Sequence, residues 1–366
     1  MRPVVKTALR RLWRDPTTLQ IGLNPERALV LAGIESHTAE LVAAFDGTRN
    51  PDELRSTARE LGLDANVADH LLKLLLEAAV VDDAATSPGP LAALTFAERD
   101  RLAPDLASLS VATGALDGGV SAMTRRQHAR VSIVGGARVG ATIATLLAAA
   151  GVGHVAVDDP RTCRPADCAP AGASLADTGA TRAQAAHAAI HRVSASVSTQ
   201  PAPSSYRLDV VVLAPTGALN PDVAERYVRD GTPHIVATVR ETTGVVGPFV
   251  VPGSTACLRC LDLHRTDRDP AWPLIAAQLA TDARRPATQA CDVVLATMVA
   301  SVTALQVLGA IDASVRASRV ASRNGTLEVT LPDWRIRRRG WQPHPACGCH
   351  WPNGTDDDEP ALHRGG

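Results

Sequence analysis

The segment from Val131 to Asp159 constrains the fold of this chain more than any other. A short strand pattern, Val131 to Val134, runs directly into Gly135-Gly136-Ala137-Arg138-Val139-Gly140. An uncharged, alanine-rich stretch follows from Ala141 to Ala150, with the periodicity of a buried helix. Gly151-Val152-Gly153 then leads to a second strand, His154 to Val157, which ends at Asp158-Asp159. Strand, glycine turn, helix and strand in this order form a βαβ unit, whose two strands must lie parallel. The acidic residue about 20 positions beyond the glycine loop stands where such units hold a ribose.

The fold class is therefore α/β, with a Rossmann-like domain built on a mostly parallel sheet. A length of 366 residues has room for more than that one domain, and 45% hydrophobic residues suffice for real cores. A net charge of −1 argues against a broad electrostatic grip on nucleic acid or an anionic membrane. Aromatics make up 3%, too few for a base-stacking platform. Of the 37 basic residues only Lys6 and Lys73 are lysines. Beyond Lys73 there is no ammonium to form a Schiff base or to meet a nucleotide phosphate as a point charge.

The uncharged stretch from Val293 to Ile311 approaches membrane-spanning length, but it carries Thr297, Ser301, Thr303 and Gln306 between Asp292 and Asp312. It reads as a buried helix. Met1 to Asp15 has no apolar core of signal length, so a reducing cytoplasm is expected. There, the 7 cysteines suggest metal before disulfide. Cys257-Leu258-Arg259-Cys260 and the terminal Cys347-Gly348-Cys349-His350 are two close pairs a domain apart, a pattern suited to structural zinc. A thioredoxin-like redox pair is the competing reading of Cys257 and Cys260, without the surrounding pattern. His350 is an alternative to Cys349 as fourth ligand. Cys291, just before the long apolar helix, reads as a small buried hydrophobe. The end of the chain, 351–366, is an acidic tail that finishes in Arg364-Gly365-Gly366.

Residues 1–85 form a separate small unit. Leu19, Ile21 and Leu23 alternate before a turn at Asn24-Pro25-Glu26, and Leu29 and Leu31 resume the alternation, as in a hairpin. A helix is predicted around Thr38–Phe45. Asn50-Pro51-Asp52-Glu53 supplies an N-cap, a proline and a capping-box glutamate for the next, ending near Gly62. Asp64 caps a third, and Val80-Val81 offers a last short strand. This winged-helix-like outline has DNA binding as its generic role. The third helix sets only His70 and Lys73 against Asp69 and Glu77, a poor phosphate surface, so peptide binding at the sheet edge fits better. Residues 86–129, broken at Ser87-Pro88-Gly89-Pro90, read as a linker with a short helix from Phe96 to Leu102.

The strings I-V-G-G-A-R-V-G and A-A-A-G-V-G-H-V-A-V-D-D resemble the ubiquitin-activating-enzyme-like superfamily, the ThiF and MoeB adenylyltransferases. The resemblance runs through 130–350 and includes the cysteine pairs, although the family's second pair has two residues between cysteines. It implies a nucleotide site of Gly135, Gly136, Gly140, Asp159 and Arg182, zinc on Cys257, Cys260, Cys347 and Cys349, and a homodimer by analogy. Family members use ATP and magnesium to adenylate the C-terminal glycine of a carrier protein. The departures argue against ATP and magnesium here. Ala137 and Arg138 replace two loop glycines, and Arg161 replaces a second aspartate. Asp167 and Pro170 stand for an asparagine and a catalytic arginine, Arg182 for the phosphate lysine, and Thr216 for the magnesium aspartate.

The run F-D-G-T-R-N-P-D-E-L, with its flanking hairpin and helix, resembles PqqD-like domains, which recognise the leaders of ribosomal precursor peptides. Together the two parts resemble the ThiF-like partner of YcaO cyclodehydratases, which make thiazoles and oxazolines in peptides. That resemblance implies a non-catalytic subunit binding a leader peptide beside a YcaO-type protein, with no catalytic residue of its own. The alternative is an active ATP-dependent adenylyltransferase acting on a sulfur-carrier or ubiquitin-like protein.

Overall fold

The computed structural model describes residues 1–203, 206–281, 289–315 and 318–349, so His350 and the acidic tail lie outside it. Two compact units divide the chain, Met1–Arg125 and Arg126–Gly366.

The first unit contains β1 (Pro3–Val5), β2 (Arg11–Asp15), β3 (Thr18–Ile21), β4 (Leu29–Leu31), α1 (Ser36–Ala43), α2 (Pro51–Glu60), α3 (Ala65–Glu77) and β5 (Val81–Asp83). The hairpin pairs Leu19 with Leu31 and Ile21 with Leu29, as the alternation requires. Two strands go beyond the sequence reading: β2 extends the hairpin to three strands, and β1 pairs with β5. Four of the five β2 positions are exposed, so no apolar alternation marks it. Asn50 forms the full capping box: its side chain accepts from the Glu53 amide at 3.0 Å, and Glu53 accepts from the Asn50 amide at 2.7 Å. Asp64 accepts from the Asn66 amide at 2.8 Å. Ile21, Leu41, Phe45, Leu54 and Leu75 fill the core between sheet and helices.

The stretch expected as a linker carries α4 (Phe96–Thr113) and the start of α5 (Val120–His128). The first of these runs well past Leu102 because Pro104, which cannot donate to the turn before it, is accommodated inside the helix. Gly114, in the left-handed region at φ +66°, ends it. Lys6 ties this segment to the strands. Its ammonium, 1% exposed, donates to Asp82 Oδ1 (2.5 Å), Ser110 Oγ (2.8 Å), Ser110 O (3.0 Å) and Ala115 O (2.8 Å).

The second unit is a seven-stranded sheet of β6 (Arg130–Val134), β7 (His154–Asp158), β8 (Val210–Leu213), β9 (His234–Arg240), β10 (Thr243–Val250), β11 (Gly325–Thr330) and β12 (Ile336–Gly340), in the order β12-β11-β10-β9-β8-β6-β7. The four strands β7, β6, β8 and β9 are parallel, and β9 to β12 are antiparallel. The helices are α6 (Arg138–Ala149), α7 (Arg182–Val193), α8 (Pro221–Arg229), α9 (Leu258–Arg268), α10 (Trp272–Ala280) and α11 (Val293–Asp312). The long apolar stretch, α11, is long and apolar enough to cross a membrane, but it packs on α6, β9 and β10 as a core helix. Helix α6 starts at Arg138, three residues earlier than the sequence pattern suggested, so Gly140 lies within its first turn. A Cβ there would come within 1.8 Å of the Gly135 carbonyl oxygen, and one on Gly135 within 2.1 Å of Ala214 O. Both glycines are required by the close approach of α6, β6 and β8.

Two consequences can be measured. Lys6→Ala strands Asp82 beside a buried polar cluster, and should lower the unfolding free energy in urea by about 3 kcal/mol. On β9, His234 is fully buried, with Nδ1 donating to the Thr232 carbonyl at 3.0 Å and no hydrogen-bond partner for Nε2. Burial pushes its pKa from 6.5 down to about 4. The folded state therefore holds it neutral while the unfolded state protonates it. Its contribution is complete above pH 6.5 and falls as pH drops toward 4, by about 3 kcal/mol at 1.36 kcal/mol per pH unit. His234→Asn, which keeps an N–H for Thr232, should flatten that part of the stability–pH curve.

Candidate functional site

Strand order reverses around β6, with β7 on one side and β8 on the other, and the crevice of such a sheet opens at the carboxyl ends of these strands. A cleft lies there, lined by Ala137 and Arg138 from the glycine loop, Arg164 and Asp167 from the segment after β7, Thr216 after β8, and Cys291 before α11. Its backbone is that of a nucleotide cleft. Its side chains are arranged for other partners.

Asp159, at the end of β7, is 2% exposed and both of its oxygens are engaged. Arg161 grips it with Nε to Oδ1 and Nη2 to Oδ2, each at 2.8 Å, and its own amide donates to Oδ1 at 3.1 Å. The Gly136 amide donates to Oδ2 at 2.9 Å, joining the glycine loop to the same carboxylate. Burial alone would raise the Asp159 pKa, but the Arg161 hydrogen bonds and the Gly136 amide outweigh it and hold the carboxyl below its ordinary value.

Arg182 is the first residue of α7 and is 3% exposed. A cation at the positive end of a helix, away from water, needs anions close by. Asp167 provides a bidentate partner, with Nε to Oδ2 at 3.0 Å and Nη2 to Oδ1 at 2.8 Å. Asp159 Oδ2 stands 3.6 Å from Nη1. The backbone fixes this placement: the Arg182 amide donates to Arg161 O at 2.7 Å and the Ala183 amide to Asp159 O at 3.1 Å. Arg161, Asp159, Arg182 and Asp167 thus form one continuous ion network that meets the cleft wall at Asp167.

The remaining expected residues are less tightly tied. Arg138, at the first position of α6, donates Nη1 to the Cys291 carbonyl at 2.6 Å, which brings α6 and the start of α11 together across the cleft. Burial raises the Cys291 thiol. The Thr216 hydroxyl is buried without a hydrogen-bond partner. Among the described residues lining the cleft, the one carboxylate is Asp167, already held by Arg182. Sequence reading counted Arg161, Asp167 and Arg182 as separate departures from the family pattern. What it missed is that Arg182 pairs with Asp167, and Arg161 with Asp159. The available signal was a carboxylate at Asp167 where the family has a neutral residue, with a cation kept at Arg182.

The four cysteines converge at the far side of the unit. Cys257 is the N-cap of α9 and Cys260 lies in its first turn, while Cys347 and Cys349 follow β12. The Sγ atoms of Cys257 and Cys347 are 3.4 Å apart, those of Cys260 and Cys349 3.3 Å, and those of Cys257 and Cys260 3.8 Å. These separations are too long for a disulfide and close to the sulfur–sulfur edge of about 3.8 Å set by bonds of about 2.3 Å to a tetrahedral zinc. All four could ligate one metal ion. The one-residue spacer works because Gly348 adopts φ +75°, turning the chain so that both thiols face α9. Hydrogen bonding from Cys257 Sγ pulls the Cys260 thiol down to about 4, while burial lifts Cys349 to about 12. Trp341 and Leu261 cover the cluster.

An α/β sheet whose parallel half carries a glycine loop at its switch point, in a unit that also holds a four-cysteine cluster, is the fold of the ubiquitin-activating-like superfamily. The chain belongs to the ThiF family, whose sequence model matches residues 114–349. No curated protein matches it by sequence at a significant level. Among solved structures it is similar to the microcin C7 biosynthetic enzyme MccB in complex with N-formylated MccA, with a TM-score of 0.67 and 15% identity, over 96% of this chain and 100% of that one. Escherichia coli MccB with ATP gives 0.68 and 16%, over 95% and 99%. PaaA gives 0.66 and 15%, over 92% and 100%. These likenesses extend the shared fold beyond the ThiF region to almost the whole chain.

Replacing Arg182 separates the two roles an arginine could have here. Arg182→Met leaves Asp167 and Asp159 desolvated without their shared cation, and should lower unfolding stability by about 3–5 kcal/mol. A phosphate-binding arginine with no structural duty would leave the urea midpoint unchanged.

Proposed function

We propose that this protein is the leader-peptide-binding, ThiF-like component of a peptide-modifying system, in which a partner enzyme supplies ATP chemistry. The observation that carries this reading is the ion network that meets the cleft at Asp167. The carboxylate that would take a ribose is chelated by Arg161, and the cation that would take a phosphate is chelated by Asp167. To reach these groups a nucleotide would have to open the Arg161–Asp159 bidentate pair and the buried Arg182–Asp167 one. With Thr216 in place of a carboxylate, the described residues lining the cleft offer no free carboxylate to hold magnesium and neutralise an attack on phosphorus. Gly135, Gly136 and Gly140 then serve chain packing, and Asp159 and Arg182 serve the network.

The peptide-binding half of the proposal rests on residues 1–85, read as a PqqD-like module. The three-stranded sheet of the first unit has open edges at β2 and β4, where an extended leader can add a strand through backbone hydrogen bonds. Residues 86–129 would continue that module and 130–350 would be the ThiF-like domain. A YcaO-type cyclodehydratase is the proposed partner, in the cytoplasm, with this chain as a homodimer. Cys257, Cys260, Cys347 and Cys349 would hold a structural zinc. The donor set fits: four thiols and no open position favour a structural ion over a catalytic one. When bound, zinc would tie the segment after β12 to α9.

The competing reading, an adenylyltransferase acting on a carrier protein, keeps the retained glycine loop in its favour. Two measurements separate them. Hydrogen exchange on the full-length chain, with a leader peptide from a neighbouring precursor, should show new protection in Arg11–Asp15 or Leu29–Leu31. Pyrophosphate exchange with any glycine-tailed carrier should stay at background. Exchange above background, with no leader protecting either edge, would replace the first reading by the second.

A further inference from the structure

Helix α9 carries a second set of metal-type donors that the cysteine cluster does not use. Cys257 and Cys260 open the helix, and His264 and Asp267 follow at spacings of four and three, which keeps all of them on one stripe of its surface. The loop after β12 supplies His344 in the same way that it supplies Cys347 and Cys349. Ligand atoms of His264, Asp267 and His344 all lie within 4.8 Å of one another. The two imidazoles meet edge to face with centroids 4.8 Å apart, and His344 Nε2 donates to Asp267 Oδ2 at 2.9 Å.

We propose that His264, Asp267 and His344 form a second divalent-metal site, one to two helical turns beyond the cysteine cluster, that takes a borderline cation such as Zn²⁺. Its donors are two imidazoles and one carboxylate, a set that disfavours Mg²⁺ and Ca²⁺ and leaves a coordination position for water. The ligand shell is already oriented. His264 Nε2 donates to the Gln342 carbonyl at 2.9 Å, which leaves the Nδ1 lone pair free and supplies the backbone contact that metal-bound histidines usually make. His344 is half prepared. Its Nδ1 accepts from the Ala346 amide at 3.1 Å, so Nε2 carries the proton shared with Asp267. Metal binding through Nε2 moves that proton to Nδ1, and the Ala346 hydrogen bond opens. The ion therefore takes the place of the His344–Asp267 proton, and the turn leading to Cys347 relaxes as it binds.

Arg265 and Arg268 stack over Trp341 nearby, and Arg265 is paired with Asp262 at 2.9 Å. Four thiols bind a borderline cation more tightly than two imidazoles and one carboxylate, so the two sites should fill in order. This inference stands apart from the zinc assignment, because its ligands are different residues with a different spectrum.

The test is a Co²⁺ titration of the chelator-stripped full-length protein. A first phase should develop the sulfur-to-metal charge-transfer band of thiolate ligation. A second phase should add weaker visible bands without further charge transfer. His264→Ala combined with Asp267→Ala should remove the second phase and leave the first, with an unchanged far-ultraviolet dichroism spectrum. His344→Gln provides the same test through the opposite side of the site. A titration that ends with the first phase, or a second phase that persists in both variants, overturns the proposal. If no charge-transfer band forms, the cysteine assignment fails, while the histidine-dependent phase still decides this one.

Discussion

The ion network of Arg161, Asp159, Arg182 and Asp167 organises the nucleotide-fold unit around its cleft. A guanidinium at the amino end of α7, out of contact with water, is unfavourable twice over: it opposes the helix dipole and it is desolvated. It persists because two carboxylates close on it, one from the end of β7 and one from the loop beyond. Asp159 is in turn held by Arg161 and the Gly136 amide, and Asp167 by the Arg164 amide. The glycine loop, the end of β7 and the start of α7 are therefore fixed by one set of charges. Removing Arg182 or Asp167 leaves the other a buried charge without its bidentate partner.

A second organising centre lies on α9. Its first turn carries two of the four converging thiols, and the next turns carry His264 and Asp267 opposite His344. Both sets reach the same loop after the edge strand β12, so the loop is fastened to one helix at two levels. Trp341 joins this fastening to the sheet through its indole N–H, which donates to Thr326 at 3.0 Å. The family fold thus remains well pinned on the side remote from the cleft, whatever has happened to the chemistry within it.

Much of this was legible in the sequence where the signal is local. The βαβ unit, the Asn50 capping box, the Leu19–Leu31 hairpin and the two cysteine pairs each fall within a few consecutive residues, and each forms as the pattern requires. The N-terminal strands were less visible: β2 is a charged edge with one side chain half-buried, and β1 is only three residues long. Helix α4 continues beyond the expected Phe96–Leu102 to Thr113, with Pro104 inside it. The long-range ties were out of reach. Lys6 finds Asp82 and Ser110 from 76 and 104 positions away, and Arg182 finds Asp167 across a loop. Composition marked Lys6 as unusual, and only the fold shows what a rare lysine is buried for.

The most direct test of the central claim is calorimetric titration of the full-length protein with ATP and magnesium, paired with a variant that restores the family pattern at the network: Arg161→Asp, Asp167→Asn and Arg182→Lys together. The account predicts no heat of binding for the natural sequence up to millimolar nucleotide, and measurable binding once the folded variant also carries Thr216→Asp. Micromolar binding of ATP by the natural sequence would contradict it, because the groups needed to hold the nucleotide would then have to be free.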